Sequence, residues 1–175
     1  MNAERLKSLL HLVPLPSEGG YYAETYRSLE LIKRECLPGR YSGPRNVSTA
    51  IYYLLEPNMF SALHRVASDE IFHFYLGDPV EMLQLWPDGS SKVVLIGSDI
   101  EEGMVPQVVV KQGVWQGSRL IARGQFALLG CTVSPGFEFA DYESGSRRLL
   151  IQAYPDCKDM ICALTHDDIT TTLHD

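Results

Sequence analysis

The sequence predicts an all-β protein, built as an antiparallel sandwich or jelly-roll barrel with short helices only at its two ends. Short segments rich in β-branched and aromatic residues recur at regular spacing along most of the chain. Stretches such as EPN, GDP and PDGSS separate them and carry residues that favour turns. No helical period lies between these segments, which disfavours a parallel sheet with crossover helices. The predicted strands are YYAETYRS, TAIYYLL, EIFHFYL, VEMLQLW, KVVLIG, QVVVK and QFALLGCTV.

An amphipathic helix is predicted ahead of the strands. Apolar residues recur at three-and-four spacing, which indicates a helix that begins at Asn2 or Ala3 and ends at Val13, just before Pro14. A Gly-Gly pair at 19–20 then allows a tight turn into the first strand.

The C-terminal part is predicted to form two short helices on the outside of the barrel. SRRLLIQAYP and DCKDMICALT carry apolar residues at helical spacing, and Pro155 separates them. Residues 166–175 are polar. We therefore expect a single domain over residues 1–165, followed by a polar tail at 166–175.

Composition narrows the class of partner. The 175 residues carry a net charge of −7 and no extended Lys/Arg cluster, so nucleic acid is disfavoured as a partner. Neither a signal peptide nor a membrane span is visible, and the four cysteines lack zinc-binding spacing. Buried free thiols and a cytoplasmic location are expected, with no membrane partner. Cys131 lies in the apolar run FALLGCTV and is expected to behave as a small hydrophobic residue.

The stretch SALHRVASDEIFHFYLGDP carries the most informative polar pattern: His64, then Val66, Glu70 and Gly77. This spacing resembles the first motif of the cupin superfamily, which has a second histidine where Val66 stands. Downstream, VVVKQGVWQG resembles the second cupin motif, with Gln116 in the place of a third histidine.

Other stretches extend the likeness, and together they span residues 17–165. They include PSEGGYYAETYRS, STAIYYLL and GCTVSPGFEF, and they are similar to a branch of small cupins sometimes called cupin-5. The resemblance implies a double-stranded β-helix barrel, the RmlC-like jelly roll, often dimeric and with a pocket inside. A homodimer is therefore expected, and an exposed sheet edge favours the same pairing.

The usual cupin site holds a divalent metal with three imidazoles and one carboxylate. Here His64 and Glu70 remain, but Val66 offers no lone pair and the amide of Gln116 is a weak ligand. Tight metal binding is expected to be lost, so no cofactor is predicted. A weak metal held by His64, Glu70 and Gln116 and completed by water stays open as an alternative.

Strand parity places neighbouring side chains on opposite faces. With Glu70 facing the barrel interior, Phe72 and Phe74 share its side, whereas His73 faces away. His73 is therefore not expected to supply a further ligand unless a bulge follows Glu70.

The predicted pocket holds His64 and Glu70 as its chemical pair and Gln116 as an amide beside them. Its walls are expected to include Phe72 and Phe74, with Met82, Gln84 and Trp86 contributed by the next strand. Aromatic walls suit the faces of a sugar or a similar metabolite. Three charged residues either border the mouth of the pocket or lie on a solvated edge strand, and the sequence supports both equally: Glu18, Glu24 and Arg27.

Three hypotheses follow for the function. In the first, a metal-independent isomerase or epimerase acts on a carbohydrate-like metabolite, with His64 as base and Glu70 as its partner or acid. In the second, the cavity belongs to a non-catalytic module that binds a metabolite. The third is a degenerate metalloenzyme with the weak site described above. A buried pair in which His64 and Glu70 simply satisfy each other also accounts for both residues.

Overall fold

The computed structural model describes residues 1–167, so most of the predicted polar tail at 166–175 lies outside the described residues. The described part is mostly β-structure with short helices at its ends. The helices are α1 Ala3–Leu10, α2 Arg147–Ala153 and α3 Lys158–Ala163. The strands are β1 Val13–Pro14, β2 Tyr21–Arg27, β3 Leu31–Ile32, β4 Arg45–Asn46, β5 Thr49–Leu55, β6 Phe60–Arg65, β7 Asp69–Gly77, β8 Val80–Leu85, β9 Ser91–Ile96, β10 Gln107–Val110, β11 Trp115–Leu120, β12 Ala127–Ser134 and β13 Glu143–Ser144.

Two antiparallel sheets face each other, as in a jelly roll. The six-stranded sheet has the order β1-β2-β5-β12-β7-β10, and the five-stranded sheet has the order β13-β6-β11-β8-β9. A small ribbon of β3 and β4 stands apart from both. The main apolar core lies between the sheets and takes side chains from each, such as Leu129 from the first and Met82 from the second. The predicted all-β jelly roll is therefore confirmed.

The helices cover the outer faces of the sheets. Helix α1 packs on Leu54 and Leu128 of the six-stranded sheet. Helices α2 and α3 pack on Leu83 and Leu85 of the five-stranded sheet. Strand β8 is buried on both faces, so it carries apolar residues on each: Met82 faces the main core, and Leu83 and Leu85 face the helices. Among residues 1–167, no helix is long and apolar enough to cross a membrane.

Helix α1 is shorter than its apolar pattern predicts. It ends at Leu10 because His11 adopts a left-handed conformation with φ 54° and closes the helix through a backbone N–H bond to Lys7 O. Val13, predicted as the last helical residue, begins β1 instead.

Strands β6 and β11 were not among the predicted strands. Their inward-facing positions carry polar residues instead of apolar ones, namely Ser61, His64, Gln116 and Ser118, all buried. A strand is usually recognised in a sequence because every second residue is apolar and faces inward. In β6 and β11 inward-facing residues are polar, so this alternation is absent. Apart from the two-residue strands, β6 and β11 are the strands that escaped prediction, and they build the polar part of the interior.

A tight turn at residues 15–20 closes one end of the interior. Gly19 and Gly20 have φ values of +98° and +71°, and a Cβ on Gly19 would lie 2.3 Å from the Phe60 carbonyl oxygen. Only glycine allows so close an approach in this backbone conformation. The turn is held on β6 by a 2.7 Å hydrogen bond from Ala62 N to Glu18 O.

Candidate functional site

A cavity of about 630 Å³ lies against the inner face of the six-stranded sheet. The turn at residues 15–20 and the segment at residues 135–142 close it on two sides. Its volume falls within the usual range for small-molecule sites. The lining residues are Leu15, Pro16, Ser17, Glu18, Tyr22, Glu24, Arg27, Thr49, Ile51, Glu70, Cys131, Val133, Phe137, Glu138, Phe139 and Tyr142.

A row of buried polar side chains crosses the five-stranded sheet. Gln116 on β11 is paired with His64 on β6 and with Gln84 on β8, so the three residues stand side by side. All three are at most 2% exposed. Residues directly opposite one another in an antiparallel sheet point to the same face, which brings the row to the interior.

The hydrogen bonds of His64 define its tautomer. Its Nδ1 lies 2.7 Å from the Ala62 carbonyl oxygen, which can only accept, so Nδ1 carries a proton and donates. Its Nε2 lies 2.8 Å from the Gln116 amide nitrogen, which donates to it and also to Glu70 Oε2 at 3.0 Å. In this arrangement His64 is neutral and its Nε2 is an acceptor.

Two carboxylates flank the same imidazole. Glu70 Oε2 and Glu18 Oε2 each lie 3.9 Å from His64 Nε2. Glu18 Oε1 accepts a 2.8 Å hydrogen bond from Ser61, and Glu70 Oε1 receives only the Cys131 thiol at 3.6 Å. Burial raises the pKa of Glu70, an effect that a protonated His64 would partly offset, and the charge of Glu18 raises it further.

Three buried polar atoms find no hydrogen-bond partner among residues 1–167: Gln116 Oε1, Ser118 Oγ and the Tyr142 hydroxyl. The Tyr142 ring stacks on the His64 ring, with centroids 4.9 Å apart and an interplanar angle of 25°. Burial raises the pKa of Tyr142 to about 12, so its hydroxyl keeps its proton at neutral pH. A buried polar group without a hydrogen-bond partner lowers the stability of the folded protein by about 1–3 kcal/mol. Such groups usually form their hydrogen bonds to a bound ligand or to buried water.

The mouth of the cavity is tied together by Arg27. Its guanidinium donates to Glu24 at 2.8 Å on its own strand and to Glu138 at 2.8 Å across the mouth. Further bonds reach Asn46 Oδ1 at 2.8 Å and the Phe137 carbonyl oxygen at 3.3 Å. Arg27 thereby fixes the segment at residues 135–142 against β2.

The residues at the inner end do not fit a resident divalent metal. The Gln116 amide nitrogen, a donor, lies between His64 Nε2 and Glu70 Oε2, where a cation would need acceptors. Val66 is buried and apolar at the position of the second imidazole in the motif. Among residues 1–167, no group of three His, Cys, Asp or Glu side chains is arranged to hold a metal ion.

The structure brings His64, Glu70 and Gln116 together, but of these three only Glu70 belongs to the cavity lining. His64 and Gln116 lie behind it, in contact with Glu70, and the predicted walls also lie outside the lining. Phe72 belongs to the main apolar core and Phe74 packs against it, so neither ring lines the cavity. The alternation of side chains along the strand correctly predicted that Phe72 and Phe74 face the interior. It could not predict which part of the interior is left unfilled as a cavity. Gln84 lies beside Gln116 and bonds to Met82 Sδ at 3.6 Å, away from the cavity lining.

His73 is on the opposite face from Glu70, as strand parity predicts. Its ring nitrogens lie 3.3 Å from Gln107 Nε2 and 3.4 Å from Thr132 Oγ1 on the outer surface of the sheet. The irregularity in the pairing of β7 falls opposite Leu128 and Leu129, beyond His73, so it leaves the parity from Glu70 to His73 intact.

Several site residues escaped the sequence reasoning. Glu18 was considered only as a residue of the pocket edge, although its carboxylate reaches the interior beside His64. Cys131, expected to be merely apolar, lines the cavity and contacts Glu70. Tyr142 follows no motif, and no spacing in the sequence singles it out. The Gly19-Gly20 pair was the available signal for Glu18, since such a pair permits close approach of a turn to a strand.

A family model and a related sequence both match this chain over most of its length. The family model described as Cupin superfamily (DUF985) matches residues 4–145. The uncharacterized protein YML079W of Saccharomyces cerevisiae is 35% identical over an alignment of 133 residues, and the match covers 71% of this chain. The match covers 66% of the yeast protein, just under two thirds of its length.

Solved structures show the same architecture. A hypothetical protein from Leishmania major is 31% identical, with a TM-score of 0.85 over 95% of this chain and 100% of the other. Oxalate decarboxylase from Bacillus subtilis is 13% identical, with a TM-score of 0.51 over 90% of this chain and 38% of the enzyme. The second likeness concerns the fold alone. With a family model matched over most of its length and a jelly roll in its structure, the chain belongs to the cupin superfamily.

Proposed function

We propose that this cupin binds a carbohydrate-like metabolite in the 630 Å³ cavity and moves a proton at one of its carbon atoms, as a metal-independent isomerase or epimerase. The observation that carries the proposal is the buried polar cluster at the inner end of the cavity. There Glu18 and Glu70 line the cavity, and His64 lies behind them with its Nε2 3.9 Å from each carboxylate. Buried polar atoms nearby lack partners within the described chain.

His64 is suited to act as the base. Its Nδ1–H is fixed on the Ala62 carbonyl oxygen, which leaves the lone pair on Nε2 directed toward Gln116 and Glu70. A fixed tautomer with a directed lone pair is what proton abstraction requires. A ligand that displaces the Gln116 amide from Nε2 gives His64 access to a substrate proton.

Glu70 is suited to the second role. Its raised pKa brings the carboxyl group closer to neutral pH, where a group that exchanges protons is most effective. Cys131 and Gln116 are its hydrogen-bond partners, so its charge has no cation bonded to it. We expect Glu70 to return a proton or to stabilise the imidazolium of His64 after proton abstraction.

The experiment is exchange of carbon-bound protons in deuterated water, followed by NMR for sugars that raise the melting temperature of the protein. His64→Asn is expected to abolish exchange. His73→Asn is the matched control, because His73 lies on the outer face of the same barrel and is expected to leave exchange unchanged. Exchange that survives in His64→Asn would refute the assignment of the base.

A non-catalytic binding module is the second candidate, and the Gln116 amide favours it. This amide donates to both His64 and Glu70 and so satisfies the pair without a substrate. The same NMR experiment separates the two functions. A ligand that binds and shows no exchange over prolonged incubation supports the binding module and excludes the epimerase for that ligand.

A further inference from the structure

We infer that the ligand of this cavity carries a protonated amine on a polyhydroxylated ring and bears no phosphate or carboxylate group. The inference rests on the proposed function, which puts a carbohydrate-like ligand in the same cavity. It adds the charge of the ligand, which follows from the hydrogen bonds of the lining residues.

The cavity offers no free cation to an anionic group. Arg27 is the only Lys or Arg among the lining residues that the structure describes. Its Nε and one Nη2 hydrogen are directed to Glu24, and its Nη1 hydrogens to Asn46 and Glu138. The remaining Nη2 hydrogen points to the Phe137 carbonyl oxygen. All five donors of the guanidinium are therefore engaged, and a phosphate would find none available.

Near the inner end of the cavity, carboxylate and amide oxygens that need a donor outnumber the unpartnered donor of the lining, the Tyr142 hydroxyl. Among residues 1–167 the structure shows no hydrogen bond to Glu18 Oε2, and Glu70 Oε1 has only the weak thiol donor of Cys131. The two side chains are 16% and 7% exposed and both line the cavity, so any further donor reaches them through the cavity. Gln116 Oε1 is a third acceptor without a partner in the described chain, bonded through its own amide to Glu70. A ligand that satisfies this end must bring several N–H or O–H donors.

Charge favours an ammonium group over hydroxyls alone. Four carboxylates line the cavity against one guanidinium: Glu18, Glu24, Glu70 and Glu138. Glu24 and Glu138 already pair with Arg27, so the largely buried carboxylates without a bonded cation are Glu18 and Glu70. An ammonium group supplies three donors and a positive charge, which buried carboxylates require for stability. An anion would add repulsion to the same carboxylates.

The aromatic side chains suit the same ligand. Tyr22, Phe137, Phe139 and Tyr142 belong to the lining, and Phe137 and Phe139 contact edge to face at 5.2 Å. Ring faces attract cations, and they also stack on the apolar faces of sugar rings. Carboxylates at the inner end, together with aromatic rings in the lining, describe a site for a cationic, ring-shaped ligand.

The test is a charge series on one sugar body: glucosamine with its amine protonated, glucose, and glucose 6-phosphate. Binding to the full chain is measured by isothermal titration calorimetry, and the same series is repeated on a pentose and on an inositol. We expect the aminated compound to bind at least about tenfold more tightly than the neutral one, a difference of about 1.4 kcal/mol. The phosphorylated compound is expected to show no binding.

Matched variants locate the preference in the cavity. Glu18→Gln keeps an oxygen that can accept from Ser61 but removes the charge, and it is expected to abolish the preference for the amine. Glu102→Gln removes the same charge from an exposed turn and is expected to leave the preference unchanged. Melting temperatures of both variants without ligand check that the fold is retained.

The outcomes separate this inference from the proposed function. Equal affinities across a series, or tighter binding of the phosphorylated member, overturn the inferred charge and leave the sugar-binding cavity in place. A preference for the amine that persists in Glu18→Gln also overturns the inference, because it places the selectivity elsewhere. No binding in any of the three series overturns both proposals together.

Discussion

Gly19→Ala tests whether the turn at residues 15–20 is held against β6 by close backbone contact. Gly19 has φ +98°, and an added Cβ would lie 2.3 Å from the Phe60 carbonyl oxygen. Gly89 provides a matched control, since its φ is +88° and a Cβ there would meet no atom within 4 Å. Both substitutions reduce the backbone conformational entropy of the unfolded chain by the same amount. This contribution therefore cancels when the free energies of unfolding of the two variants are compared.

The two substitutions are expected to lower the free energy of unfolding by different amounts, because a Cβ meets a close neighbour at Gly19 but not at Gly89. Adopting a positive φ costs a residue with a Cβ about 1–3 kcal/mol, and Gly89→Ala is expected to show this cost alone. Gly19→Ala must also move the turn away from β6, which strains the bond from Ala62 N to Glu18 O at 2.7 Å and that from Tyr53 Oη to Gly19 O at 2.9 Å. Each hydrogen bond contributes about 1 kcal/mol, so Gly19→Ala is expected to cost about 2 kcal/mol more than Gly89→Ala.

Urea unfolding of the two variants and the parent chain, followed by circular dichroism, measures both costs. Equal free energies of unfolding for Gly19→Ala and Gly89→Ala would refute the close contact. The displaced turn also carries Glu18 away from His64, so Gly19→Ala is expected to weaken ligand binding although it changes no charge.

The remaining predictions concern charge, metal and assembly. Asp141→Ala leaves Arg45 charged and buried, with side chains 4% and 3% exposed in the pair, and is expected to cost about 3–5 kcal/mol in urea unfolding. Glu143→Ala breaks the exposed pair with Arg65 and is expected to cost under about 1 kcal/mol; equal costs would contradict the argument. Burial raises the pKa of Glu70 above 4.5, so its contribution to stability is fully present below that pH and is lost as pH rises through the folded-state pKa. Glu70→Gln should remove this loss in unfolding experiments across a pH series, whereas a loss unchanged in Glu70→Gln would assign it to another group. Elemental analysis is expected to find the same metal content in the parent chain and in His64→Ala; stoichiometric metal that disappears in the variant would contradict the assigned chemistry of the site. Sedimentation equilibrium is expected to show a homodimer, since β10 is an edge strand and β9 is another whose outer side is bonded only at its end, to Val105, within residues 1–167. A monomer at all concentrations would exclude the dimer.

Local patterns were sufficient for much of the fold. The two-residue period predicted that Glu70 and His73 lie on opposite faces, and the three-and-four spacing near Leu150 and Ile161 predicted the C-terminal helices. The period failed at β6 and β11 because their inward residues are polar. There the family resemblance, not the apolar pattern, identified His64 and Gln116 as site residues.

The cavity itself depends on contacts between distant parts of the chain. Phe72 and Phe74 face inward as predicted, but the space beside them is filled by the core. The empty part lies next to β2 and β5, under the segment that carries Tyr142. Glu18 reaches His64 through a turn whose position depends on Phe60, some forty residues later in the sequence. No local pattern records such packing, which explains why the cavity lining differs from the predicted walls while the predicted pair was brought together.

The side-chain amide of Gln116 takes the place that a bound metal ion would occupy between His64 and Glu70. A bridge made by a metal ion must be loaded from the surroundings, can be removed by a chelator, and can change with the oxidation state of the ion. The bridge between His64 and Glu70 is a side chain of the same polypeptide, so it forms when the barrel folds, in a fixed one-to-one ratio. The geometry of this part of the site is therefore inherited with the fold and does not depend on which metals the surroundings contain.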